Sequence, residues 1–132
     1  MLRALAIAVV AAGVLAPAAM PGQKTGFAFG RTGGSIRPFA VVIGIDGRVR
    51  ATGAVAIARV RLTRPQLGEL NRLAAISRFG TLPPRTTCPR TLPDVAQTFI
   101  RVGPRTVHVR GACLPEYQRL WKALARAVRV SG

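Results

Sequence analysis

The chain has two cysteines, Cys88 and Cys113, and they bracket two strand-like segments. This placement limits the possible folds more than any other feature. VAQTFIRV, residues 95 to 102, alternates enough to read as a strand. TVHVR, residues 106 to 110, sets Val107 and Val109 against Thr106, His108 and Arg110. Gly103-Pro104-Arg105 supplies a turn between them, which predicts a hairpin. Cys88 precedes the first strand and Cys113 follows the second, so both fall at the hairpin's open end. Whether they are ligands, a redox pair or a staple depends on the compartment.

The opening stretch MLRALAIAVVAAGVLAPAAMPGQ bears on that question. Arg3, the apolar run Ala4 to Leu15 and the triplet Ala16-Pro17-Ala18 match the three parts of a secretory signal peptide. Residues 1–18 are therefore expected to be a signal peptide, with the mature chain starting near Ala19. The apolar run is short for a membrane span, which needs about 20 such residues. Extending it to Met20 crosses Pro17 and leaves a retained anchor as the alternative. After cleavage no membrane span is expected, and the protein belongs in a secreted or extracytoplasmic location.

Export places the cysteines where disulfides persist. A metal site would need more ligands, and the only histidine is His108. No C-x-x-C occurs. One intramolecular bridge between Cys88 and Cys113 is the economical reading, and closing that loop stabilises by roughly 3.5 kcal/mol.

Residues 19–35 form a Gly-rich N-terminal segment, expected to hold little regular structure, and residues 36–132 form the α+β domain. PFAVVIGI, 38 to 45, reads as a buried strand, and Asp46-Gly47 as a hairpin turn. RVRATGAV follows with Val49 and Ala51 inward, and AIARVRL, 56 to 62, alternates again with Arg59 and Arg61 outward. Gly53 marks a bulge or bend between them. Thr63-Arg64-Pro65-Gln66 fits a capping box, and Leu67, Leu70, Leu73, Ala74 and Ser77 follow at helical spacing. FGTLPPRTTCPRTLPD is a proline-rich connector in which Phe79 and Leu82 pack down. Pro115 opens a second helix with Glu116 in its first turn. Its apolar stripe is Tyr117, Leu120, Trp121, Leu124 and Val128. The expected fold is ββαββα: one antiparallel sheet of about four strands, both helices on one face, the other face wet.

Charge is lopsided, with 20 Lys and Arg against Asp46, Glu69, Asp94 and Glu116. Such a surface favours anionic partners, either an envelope polymer or an acidic protein. Export removes the usual nucleic-acid target, so none is expected. Arg119, Lys122, Arg126 and Arg129 form a basic stripe on the second helix. That stripe is either a polyanion grip or the solvated side of an amphipathic helix.

The catalytic inventory is thin. A paired acid/base mechanism needs two carboxylates in one cleft, and nothing pairs the four here. Ser35, Ser77 and Ser131 lie outside any G-x-S-x-G elbow, and GRTGGSIR lacks the Lys-Ser/Thr of a phosphate loop. A Ser35, His108 and Asp94 set has no spacing to support it. The reading is of a non-catalytic protein with no cofactor and no metal.

The runs FGRTGGSIRPFAVVI, LTRPQLGELNRL, FGTLP, PDVAQTFIRV with TVHV, and YQRLWKALARAV together resemble the emfourin family. That family comprises small bacterial proteins, some of which inhibit thermolysin-type metalloproteases. Its paired glycine, its aromatic segment after the first helix and its Asp-led strand correspond here to Gly33-Gly34, Phe79 with Leu82-Pro83, and Asp94 with Phe99. The resemblance covers about residues 27 to 128. Together with the export signal, it implies a secreted, non-catalytic bacterial binding domain of unknown partner, a protease being one candidate, with Thr32, Gly33, Gly34 and Ser35 as the candidate contact loop. The plainer alternative is that these glycines merely permit a tight entry into a strand.

Overall fold

In a computed structural model, the structure describes residues 25–131. The expected signal peptide and its cleavage site lie outside the described residues. The protein is α+β, and its sheet is larger than the sequence suggested. Six strands stand in the order β3-β2-β1-β6-β7-β5. They are β1 (Thr25–Thr32), β2 (Phe39–Gly44), β3 (Val49–Gly53), β5 (Arg85–Thr87), β6 (Gln97–Val102) and β7 (Arg105–Arg110). A separate two-residue pairing joins β4 (Ala56–Ile57) to β8 (Val130–Ser131). The helices are α1 (Arg64–Ile76) and α2 (Pro115–Val128), with a 3-10 turn at Phe79–Thr81.

Three strands were not foreseen: the short β8, and two that replace the expected four-stranded antiparallel sheet with a six-stranded mixed one. The Gly-rich segment supplies β1, which runs antiparallel to both β2 and β6 near the sheet's centre. Its alternation is plain in hindsight: Phe27 and Phe29 face the core, while Ala28 and Gly30 face the other way. Glycine stands at residue 30 because a Cβ there would press on the Phe39 carbonyl and lie 2.7 Å from the Phe99 ring. The second addition is β5, inside the proline-rich connector. It runs parallel to β7, as a three-residue edge strand.

The 56–62 segment is not a full strand either. Gly53 turns the chain at φ 86°, and only Ala56 and Ile57 pair, with the tail beyond α2. The segment then returns to the β3 edge through the Arg48–Arg61 bridge, burying Leu62.

Other elements form where the pattern placed them. The β2–β3 hairpin closes through the Arg48 N–H donating to the Asp46 carboxylate at 3.1 Å. Thr63 and Gln66 cap α1 reciprocally: the Thr63 N–H donates to Gln66 Oε1 at 2.8 Å, and the Gln66 N–H to Thr63 Oγ1 at 3.4 Å. The inward residues of β1, β2, β6 and β7 pack with Leu70 and Ala74 of α1 and the whole apolar stripe of α2 into one core. Phe79 and Leu82 join it. Both helices therefore cover the same face of the sheet.

The cysteines form a disulfide, with Cα atoms 5.6 Å apart and a separation of 25 residues along the chain. The Cys88 N–H donates to the Arg110 carbonyl at 2.8 Å, extending the β5–β7 ladder to the bridge. Among the described residues, no helix is long and apolar enough to cross a membrane.

Tyr117 sits at the centre of this core, fully buried, with its hydroxyl 2.9 Å from Thr98 Oγ1. Burial pushes its phenol up to about 12, against a smaller opposing pull from the Thr98 hydrogen bond. An unfolded tyrosine titrates near 10. The folded-state value is raised, so the stabilisation is complete below about pH 10 and is lost as pH rises towards 12. Tyr117 is the only tyrosine, so tyrosinate absorbance reads it directly. The expected result is a folded-state midpoint about 2 units above that of denatured protein, with stability falling by about 2–3 kcal/mol across the window. Denaturant titrations of Tyr117→Phe should not show that fall.

Candidate functional site

The chain carries three solvent-facing features with chemical potential. The first is the turn after β1. Thr32, Gly33, Gly34 and Ser35 are all exposed. Both glycines adopt positive φ, 71° at Gly33 and 66° at Gly34, where other residues are strained. Their surroundings differ. A Cβ on Gly34 would lie 2.6 Å from the Asp94 carbonyl oxygen and 2.8 Å from the Ala96 nitrogen. The Ser35 N–H donates to that same Asp94 carbonyl at 3.3 Å. The backbone of Asp94, rather than its carboxylate, therefore orders the turn against the entry to β6. Gly33 stands at the free tip with nothing within 4 Å of a Cβ placed there.

The second feature is the basic stripe. Arg119, Lys122 and Arg126 lie on the outer side of α2, opposite Tyr117, Leu120, Leu124 and Val128. Arg129 is the left-handed cap that ends the helix, and all four are exposed. Among the described residues, the carboxylates in ion pairs are Asp46 with Arg48, at 3.7 Å, and Glu69 with Arg72, at 2.5 Å. The Arg72 hydrogen bond holds the Glu69 carboxyl below its ordinary range. No ion pair involves the stripe. Arg126 and Arg129, together with Arg59, rim a shallow groove between α1 and α2.

The third is the uncovered face of the sheet. Alternation from the core residues places Arg50, Arg85, Arg101, His108 and Arg110 on it, with no acidic residue among them. Phe99 lies over Gly30 and beside His108, with ring centroids 6.1 Å apart. The Nε atoms of Arg101 and Arg110 are buried and have no hydrogen-bond partner. The sequence placed His108 on this face and called it wet. It did not foresee that Phe99 would lie over Gly30, because β1 was missing from the expected sheet.

Among the described residues, no group of three or more His, Cys, Asp or Glu side chains is placed to hold a metal ion. His108 packs beside Phe99, and no hydrogen bond joins it to Ser35 or Asp94. Comparison of the chain with protein-family models, curated proteins and solved structures finds no match.

The contrast between the two glycines is testable. Gly34→Ala forces both a strained φ and a backbone clash, and should cost at least about 2 kcal/mol. Gly33→Ala carries only the φ penalty, about 1 kcal/mol. Urea midpoints of the two oxidised variants measure the difference.

Proposed function

We propose that the chain is an exported, non-catalytic binding domain whose partner is an anionic polymer of the cell envelope. The observation that carries this reading is the row Arg119, Lys122, Arg126 and Arg129, four exposed cations without a carboxylate partner among the described residues. The full chain's net charge of +16, of which only Arg3 falls in the expected signal peptide, surrounds them with a field of the same sign. The disulfide fits an oxidising compartment, and so supports export. The charge lies on a rigid helix, fixed by its buried opposite side, so the cations are held in a line before any partner arrives.

Oxidised protein should bind polygalacturonate or polyphosphate, but not neutral dextran, and binding should weaken steeply with added salt. A cation near an anionic surface contributes about 1 kcal/mol. Replacing all four with Gln should therefore weaken binding at low salt by up to about a thousandfold and flatten its salt dependence. An unchanged salt slope in that variant would remove the stripe from the reading.

The Thr32–Ser35 turn favours a second reading, in which the domain inhibits a secreted thermolysin-type metalloprotease, as resemblance to the emfourin family implies. The turn is exposed and anchored at Gly34, and its tip at Gly33 stands free of other residues. Stoichiometric loss of proteolysis at both low and moderate salt is the expected result. Gly33→Trp should abolish inhibition without unfolding the domain, since space is open there. Full proteolysis across a panel of such enzymes would leave the anionic-polymer reading alone.

A further inference from the structure

A cleft of about 450 Å³ opens beside the same turn, and its composition differs from the rest of the surface. Phe29, Phe39 and Trp121 form its wall, and Ile36 and Val130 stand at its sides. Phe29 and Trp121 meet edge to face, with centroids 5.1 Å apart, which fixes both rings. Ile36 is 47% exposed, a large apolar side chain left at the edge of the opening.

The one charged residue lining this cleft is Arg31. It follows Phe29 by two positions on β1, so its side chain leaves the sheet on the core-facing side. There its guanidinium lies 5.7 Å from the centre of the Trp121 ring and 6.0 Å from that of Phe39. Stacking occupies the flat face of a guanidinium and leaves its N–H edge free to donate. Among the described residues, Arg31 makes no ion pair, and no carboxylate lines the cleft.

An aromatic trough with one oriented cation is complementary to a ligand with an apolar body and a single negative end. The volume falls within the range of small-molecule sites, roughly 300–1,000 Å³. We propose that this cleft binds a small free carboxylic acid with an aromatic or medium-chain acyl body. The carboxylate takes paired hydrogen bonds from Arg31, and the body lies against Phe39, Ile36 and the small exposed part of Trp121, whose ring the fully buried Phe29 fixes. The site is separate from the basic stripe and does not depend on it. A peptide ending in an apolar residue presents the same carboxylate chemistry, so the experiment distinguishes that source.

Trp121 is the only tryptophan and lines this cleft, so its emission, excited apart from that of Tyr117, reports on the site. The oxidised full chain would be titrated with octanoate and phenylbutyrate, with the amides of both, and with a short peptide ending in Phe. Saturable change with the acids is expected, with the amides weaker by roughly tenfold to a hundredfold, as for a lost charge-assisted hydrogen bond. Arg31→Met should lose the preference for acid over amide. Ile36→Glu should weaken acid binding where Ile36→Lys does not, a pair that decides the matter even if Arg31→Met fails to fold. Equal binding of acid and amide, absence of saturation, binding of the peptide alone, or matching effects of Glu and Lys at residue 36 would each overturn the proposal.

Discussion

Everything in this fold depends on β1 fitting between two hairpins that would otherwise be separate. Two-stranded hairpins are marginal by themselves in water. The β2–β3 pair and the β6–β7 pair become one sheet because β1 hydrogen-bonds to both along most of its length. The fit leaves no room for a side chain at residue 30, where the Phe39 carbonyl closes from one side and the Phe99 ring from above. The other alternation of the same strand supplies Phe27 and Phe29, two of the most deeply buried side chains. A small residue on one face and large aromatics on the other thus set the sheet's width and its core together.

The disulfide acts at the opposite edge, where regular structure is thinnest. β5 is three residues long and hydrogen-bonds only to β7. α2 begins at Leu114 without any side-chain cap. Between these weak points lies the bridge: the Cys113 N–H donates to Cys88 Sγ at 3.0 Å, and Gln118 donates to the Gly111 carbonyl at 3.2 Å. A short edge strand and an uncapped helix start are therefore held by one covalent link. The helix in turn carries Tyr117, Leu120 and Leu124 into the centre of the core.

Features set by local chemistry could be read from the residues. The Thr63 capping box, the Asp46-Gly47 turn, the α2 stripe and the position of the disulfide all depend on near neighbours or on strong periodicity. Long-range pairing hid the rest. In TGFAFGRT, Gly30 masks a period-two pattern, because it answers to Phe39 and Phe99, residues far along the chain. Arg85-Thr86-Thr87 is too short to show a period, and it becomes a strand only because β7 offers an open edge. The basic stripe was legible, since it is the complement of the buried one. The cleft was not, because Arg31 meets Trp121 across 90 positions of sequence.

The distribution of charge separates these surfaces by physical type. On α2 the cations are exposed, so each contributes little alone and salt screens them; only a partner that meets several together gains usefully. On the open sheet face the Nε atoms of Arg101 and Arg110 are shielded from water without a hydrogen-bond partner. Arg31 goes further, standing on the core-facing side of its strand against two aromatic rings. A cation partly removed from water interacts more strongly with a single anion than an exposed one does. One chain therefore presents a diffuse surface suited to polymers and a single fixed cation suited to one carboxylate. The two share a helix: α2 turns its basic residues to solvent on one side and Trp121 toward Arg31 on the other.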